Sequence, residues 1–107
     1  MYLIREIMYC KPGKVRPLVE KFLAMGAINK RSGMPVMRVL TDFAGEAYWT
    51  VVGEMEVGSI KEFEDMMSGA GAQGSKEDMK EMEKIMEGYH DLVDHGKREI
   101  FKIESKA

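Results

Sequence analysis

Hydrophobic and polar positions alternate with a changing period along the chain, and each change predicts a new element. Tyr2 to Tyr9 is rich in Tyr, Leu and Ile and holds no breaker, which favours a first strand. The turn Lys11-Pro12-Gly13-Lys14 ends it. Helical spacing follows, with Pro17 in the first turn and Arg31-Ser32-Gly33 as the stop signal. The apolar positions of this helix are Val15, Leu18, Val19, Phe22 and Met25.

Two more strands and a short helix are predicted in the middle of the chain. Met34 to Thr41 is typical of a second strand, and Ala47 to Val57 of a third. The short link between them implies an antiparallel hairpin. Ser59-Ile60-Lys61-Glu62 then matches a capping box, which predicts a helix reaching about Met67.

The last third of the chain predicts a long helix and a final strand. The helix starts near Ser75 and stops at His95-Gly96, and Arg98 to Glu104 alternates like a strand. The apolar stripe of the helix is Met79, Met82, Met86, Tyr89 and Val93. Gly69 to Gly74, in the Gly-rich 69–75 loop, matches G-x-G-x-x-G but follows a helix, so it predicts a linker or a lid rather than a dinucleotide site.

This order of elements predicts one α+β domain over residues 1–107. The compact solution is a ferredoxin-like βαββαβ fold, a four-stranded antiparallel sheet with the helices on one face. The strands are apolar on both faces, since Ile4 and Met8 alternate with Leu3 and Ile7. Helices cover only one face, so the second face predicts a homodimer formed through the sheet.

Composition and charge exclude several classes of protein. The chain has 107 residues, 16 Lys+Arg and 18 Asp+Glu, for a net charge of −2. This balance, and a third strand without Lys or Arg at its aromatic start, argue against nucleic-acid binding. No apolar run is long enough for a membrane span. A single cysteine, Cys10, and no signal-like apolar start predict a cytoplasmic location.

His90 is the first candidate for chemistry. On the predicted long helix it would border the apolar stripe, where an imidazole suits a general base or a haem ligand. The alternative is a histidine that bridges core and solvent, paired with Glu87 or Asp94. Glu83, Glu87, His90 and Asp94 share a helix stripe, but ligands from one helix cannot surround an ion, so we expect a solvated face and no metal. His95 is expected to be a solvent-facing cation at the helix end.

Arg5, Tyr48 and Trp49 are the other candidates, and all are placed on predicted strands. A strand arginine needs a carboxylate or an anionic ligand to offset its desolvation. Arg5 therefore either holds a ligand or pairs with Glu6, Glu54 or Glu99. Trp49 is either a core residue or a pocket wall, and Tyr48 has a polar end that suits a pocket.

The element order and the Lys11-Pro12-Gly13-Lys14 turn resemble the dimeric α+β-barrel superfamily, and its NIPSNAP-like, stress-responsive and antibiotic-biosynthesis-monooxygenase-like members. The resemblance implies a homodimer packed sheet against sheet, with a small cavity between sheet and helices in each subunit. Some members are cofactor-free oxygenases and some bind or degrade haem. The haem-degrading members use an Asn near the first strand, a strand Trp and a helix His. Trp49 and His90 resemble two of these, and the Asn is absent.

The expected function is binding of a small apolar or aromatic molecule, with an anionic group as an option, between sheet and helices. Arg5, Tyr48, Trp49 and His90 are the predicted ligand-binding residues, and His90 would move a proton if turnover occurs. No cofactor is expected. The alternatives are a cofactor-independent monooxygenase-like or haem-degrading enzyme, and a non-catalytic structural or ligand-sensing dimer. Whether the protein is an enzyme stays open.

Overall fold

The computed structural model describes residues 1–68 and 76–105. The elements in chain order are β1 (Tyr2–Cys10), α1 (Val15–Arg31), β2 (Met37–Thr41), β3 (Thr50–Val57), α2 (Ile60–Ser68), α3 (Lys76–Met86), a 3₁₀ turn (Tyr89–Asp91) and β4 (Val93–Lys102). The strands form one sheet in the order β2-β3-β1-β4, with every neighbouring pair antiparallel. This confirms the predicted ferredoxin-like α+β fold.

The core lies between the helices and one face of the sheet. One buried cluster joins α1 to the sheet through Cys10, Leu18, Val19, Phe22 and Val51. A second joins α2 to the sheet through Ile4, Met55, Val57 and Phe63. The predicted apolar face of α1 is therefore confirmed. Within the described residues, no helix has both the length and the apolar character needed to cross a bilayer.

The predicted signals at the helix ends are confirmed for α1 and α2. Gly33 follows α1 with a φ of 74°, the left-handed conformation that glycine adopts without strain. In α2 the capping box forms, because the Glu62 backbone N–H donates to Ser59 Oγ at 3.1 Å. The Glu62 carboxylate reaches back and accepts from the Gly58 N–H at 2.7 Å. The first contact satisfies a backbone donor that a helix start leaves open, and the second ties the residue before the N-cap to the first turn.

The prediction that the long helix runs to His95 is wrong. α3 ends at Met86, and Gly88 follows with a φ of 80°, which stops the helix. A 3₁₀ turn comes next, and β4 begins at Val93, earlier than the predicted Arg98. His95 is therefore a strand residue rather than a helix-end cation. The acidic residues of α3 do not share a single helix stripe with His90 and Asp94.

The predicted starts of strands two and three are also too early. β2 begins at Met37 rather than Met34, and β3 begins at Thr50 rather than Ala47. Trp49 has a φ of 61°, a left-handed conformation that a strand residue does not adopt. Residues 42–49 thus form a connection, called here the arm, which carries Tyr48 and Trp49. The predicted Gly-rich linker and the helix start at Ser75 lie outside the described residues.

Cys10 lies at the end of β1 and is 6% exposed. Burial raises the pKa of its thiol, and the nearby negative charge of Asp42 raises it further. Since the thiolate is the reactive form, the native protein presents Cys10 mainly as a buried apolar side chain.

Candidate functional site

A cleft of about 390 Å³ opens on the helix side of the sheet, beside the 3₁₀ turn. We call it the helix-side cleft. It is lined by residues of β1, the turn and β4, chiefly Glu6, Met8, Tyr89, His90, Gly96 and Arg98. The alternation of β1 explains this set, because Glu6 and Met8 share the face of buried Ile4. The cleft therefore combines an apolar floor with charged walls.

The charged walls are an oriented ion pair. Arg98 Nε donates to the Glu6 carboxylate, its cross-strand partner in the β1–β4 register. The guanidinium also lies 5.0 Å from the centre of the Phe63 ring, and its Nη2 is 3.6 Å from Met67 Sδ. Contacts on several sides hold the Arg98 plane in place. A guanidinium carries several N–H donors in a fork that matches a carboxylate, so Arg98 can bind an anionic group in addition to Glu6.

His90 lies at the rim of this cleft and is exposed. Its ring centre is 4.0 Å from that of Tyr89, at an angle of 34°. The sequence predicted that His90 borders an apolar face, and it does border the cleft floor, but the 3₁₀ turn positions it rather than a helix. The imidazole can thus hydrogen-bond to a molecule in the cleft.

Gly96 forms part of the cleft floor, where there is no room for a side chain. A Cβ at this position would lie 2.8 Å from Met8 Sδ and 3.0 Å from the carbonyl oxygen of Ile7. The second contact is with backbone, which a rotamer change cannot relieve. We expect Gly96→Ala to lower the free energy of unfolding by about 1–2 kcal/mol, measured by urea denaturation.

Gly45→Ala is the matched control for this substitution. A Cβ at Gly45, in the arm, would meet only the Asp42 Cβ, at 4.0 Å. Gly45→Ala therefore lowers the entropy of the unfolded chain as Gly96→Ala does, but it causes no overpacking in the folded protein. We expect this variant to stay within about 0.5 kcal/mol of the parent. Equal stability of both variants would contradict the account of the cleft floor.

Arg5 lies on the opposite face of the sheet, which we call the open face; it carries Leu3, Arg5, Ile7 and Tyr9 of β1. Arg5 Nε is 3.3 Å from Glu54 Oε2, and its Nη1 is 3.6 Å from Glu99 Oε1. Arg38 pairs with the same Glu54, which is 6% exposed. Because these residues are cross-strand neighbours, they form one row of alternating charge across the four strands.

Tyr48 and Trp49 lie in the arm rather than on β3. Tyr48 is 85% exposed and Trp49 is 44% exposed. The arm is fixed at its base, since the Trp49 carbonyl accepts from the Cys10 N–H at 2.8 Å and Asp42 Oδ1 accepts from the Thr50 N–H at 2.9 Å. Arm residues line cavities over the open face, one with Tyr48 and one with Arg5. The structure therefore brings Arg5 and Tyr48 to one face and His90 to the other.

Sequence reasoning missed Glu6 and Arg98 as cleft residues. A signal was present for Glu6, because strict alternation places it between Ile4 and Met8 on the apolar face of β1. A charge on such a face needs a partner. That the partner is Arg98 depends on the register of β1 with β4, which local sequence does not determine.

The residues around His90 do not fit the haem site that the resemblance implied. Trp49 lies in the arm and is not among the residues that line the helix-side cleft. β1 carries no Asn, and Glu6, Asp94 and Arg98 ring the cleft with charge, whereas a porphyrin needs an apolar slot. Within residues 1–68 and 76–105, no group of three or more His, Cys, Asp or Glu side chains is arranged to hold a metal ion.

Comparison with known proteins supports the fold. No protein-family model matches the chain, and no curated protein matches it. Among solved structures, an uncharacterised NIPSNAP domain protein from Burkholderia xenovorans matches with a TM-score of 0.74 and 12% identity, over 100% of this chain and 98% of that one. A NIPSNAP-like domain protein from the same organism matches with a TM-score of 0.74 and 13% identity, over 99% of this chain and 87% of that one.

A NIPSNAP family protein from Agrobacterium tumefaciens is also similar. Its TM-score is 0.70 at 12% identity, over 94% of this chain and 90% of that chain. At such identities the likeness is one of fold. The chain therefore has the fold of NIPSNAP domain proteins, as the element order and the turn after β1 suggested.

Proposed function

We propose that the protein is a homodimer in which each subunit binds a small planar aromatic carboxylate in the helix-side cleft. The observation that carries the ligand class is the Arg98 guanidinium at the wall of this cleft. Glu6 and Phe63 hold its plane, and Met8 and Tyr89 supply an apolar floor and side wall. An apolar pocket with a few convergent polar groups is the usual form of a small-molecule site.

The open face supports the dimer. None of the described helices covers it. Of its apolar side chains, Leu40 and Phe101 are exposed, Leu3 is half-buried, and Ile7 and Val52 are already buried. The charged row across this face reads Arg38, Glu54, Arg5 and Glu99 in sheet order. A row of alternating sign is complementary to the same row reversed. A copy rotated about a two-fold axis along the strands therefore matches it charge for charge.

The ligand proposal is tested by titrating 2-naphthoate into the protein and its Arg98→Gln variant, followed by backbone amide NMR shifts. We expect the largest shifts near Glu6, His90 and Arg98. Charge-assisted hydrogen bonds contribute about 1.5–3 kcal/mol, so Arg98→Gln should weaken binding about tenfold or more. The neutral amide, 2-naphthamide, should bind both proteins similarly.

Arg16→Gln is the control, because Arg16 is an exposed arginine on α1 that does not line the cleft. It should leave naphthoate binding unchanged. His90→Ala is a second cleft variant whose exposed position spares the fold, and it should weaken binding to a smaller extent. Equal affinity of the parent and Arg98→Gln proteins, or shifts away from the cleft, would overturn the proposal. If the cleft also turns over its ligand, we propose His90 as the group that moves a proton.

A further inference from the structure

A second cavity, of about 580 Å³, lies on the open face where β1 and β4 meet the arm. Besides Cys10, its ionisable and aromatic lining residues are Tyr9, Lys11, Glu46, Tyr48, Asp94, His95 and Lys97. The residues proposed for ligand binding in the helix-side cleft do not line this cavity; they are Met8, Tyr89, His90 and Arg98. Asp94, His95 and Lys97 also line the helix-side cleft, whereas Tyr9, Glu46 and Tyr48 line this cavity and not the cleft.

A break in the register of β1 with β4 builds this cluster. Tyr9 is opposite His95, but Cys10 is opposite Val93, so Asp94 is an extra residue in β4. Such bulges re-aim side chains next to functional sites. Here Asp94 Oδ2 lies 2.7 Å from His95 Nδ1, and the His95 ring stacks on Tyr9 with centres 4.6 Å apart and planes 22° apart. The Asp94 carboxylate and the Tyr9 ring therefore hold the His95 ring in place on this side of the cavity.

Lys97 completes the cluster, because it is the next residue of β4 on the same face of the sheet as His95. The neighbouring Tyr9 raises the pKa of Lys97, and Glu99 and Glu46 add to the effect. Tyr9 and Lys97 lie on the same face of the sheet in neighbouring strands, since His95 is opposite Tyr9 and Lys97 is opposite Ile7. The Tyr9 hydroxyl and the Lys97 ammonium are thus two hydrogen-bond donors that line one cavity. Two separate donors suit one anionic oxygen, unlike the forked guanidinium of Arg98.

We infer that this cavity binds a planar phenolate or enolate, with its oxygen held by Tyr9 and Lys97 and its ring against the His95 and Tyr48 side chains. Glu46 and Asp94 also line the cavity and balance the charge of Lys11 and Lys97. The backbone next to Tyr48 is held by the contacts at the base of the arm, and Tyr48 is one of the residues that line the cavity.

The test uses 4-nitrophenol at mildly alkaline pH, with 4-nitroanisole as a neutral probe of similar shape. The absorbance of the nitrophenolate reports its ionisation directly. We expect the anion to bind more tightly than the anisole and to cause amide shifts at Tyr9, His95 and Lys97. Tyr9→Phe keeps the stacked ring and removes only the hydroxyl, and Lys97→Met keeps the stem and removes the charge. Each should weaken nitrophenolate binding about tenfold.

Lys102→Met is the matched control, since Lys102 is an exposed lysine at the other end of β4 and should leave binding unchanged. Arg98→Gln should also bind nitrophenolate normally, which separates this site from the helix-side cleft. Equal binding of the two probes, or full affinity in both Tyr9→Phe and Lys97→Met, would overturn the inference. So would shifts confined to Glu6 and His90, a result that would instead favour the cleft.

Discussion

A variant carrying both Leu40→Glu and Phe101→Glu is expected to run as a 12.2 kDa monomer where the parent protein runs at twice that mass. Leu40 is 39% exposed and Phe101 is 49% exposed, and they lie on the open face at β2 and β4. Each substitution adds a carboxylate to both copies of a two-fold interface. Burying such a charge costs several kcal/mol, so the dissociation constant should rise about a thousandfold or more.

Light scattering behind a sizing column measures this mass in dilute solution. Leu23→Glu is the matched control, because Leu23 is 56% exposed but belongs to α1, on the other side of the molecule. It makes the same chemical change outside the proposed interface and should leave the dimer intact. A parent protein that is already monomeric, or a double variant that stays dimeric, would contradict the proposed pairing of open faces. Ligand binding in the helix-side cleft is measured separately and does not depend on this result.

The second large effect is expected from Phe22→Ala, which should lower the free energy of unfolding by about 3–5 kcal/mol. Phe22 is 4% exposed and joins α1 to the sheet. A Cβ built at Gly53 would lie 3.3 Å from Phe22 Cε2, so the ring packs directly on the backbone of β3. Alanine leaves a cavity that neither element can close. Since domains of this size are stabilised by about 5–15 kcal/mol, much of the total would be lost.

Urea denaturation followed by far-ultraviolet circular dichroism measures this loss, at one fixed protein concentration because the stability of the proposed dimer would depend on concentration. Leu23→Ala is the control at the adjacent position, where the side chain is 56% exposed. It should change the stability by no more than about 0.5 kcal/mol. Comparable losses for the two variants would mean that α1 does not pack through the face containing Phe22.

The sheet and α1 could be predicted from sequence because local patterns specify them. Period-2 and period-3.6 spacing, a capping box and a glycine stop are all short-range signals. The end of α3 could not be predicted in this way. Tyr89 and Val93 continue the helical period because both pack against the same core, yet Gly88 has already ended the helix. The packing of Tyr89 and Val93 against the core thus produces a helical spacing in sequence where the structure has no helix.

The candidate sites were less accessible to sequence reasoning because they depend on register. Glu6 and Arg98 are 92 positions apart and meet only through the pairing of β1 with β4. Tyr9, His95 and Lys97 meet through the same pairing and one extra residue in β4. His90 could be singled out as a candidate because a histidine near an apolar stripe is unusual by itself. Arg5 was found for a similar reason, and its Glu54 and Glu99 contacts were among the expected alternatives.

The position of Trp49 determines what an optical experiment on this protein reports. It is the only tryptophan of the chain, and it lies at the base of the arm with a left-handed backbone, outside both buried clusters. Its emission is therefore a local signal, sensitive to the arm. A fluorescence transition during denaturation would record the release of the arm, and only the circular dichroism of the backbone would record the loss of the sheet. A difference between the two midpoints would measure how far the arm opens independently of the fold.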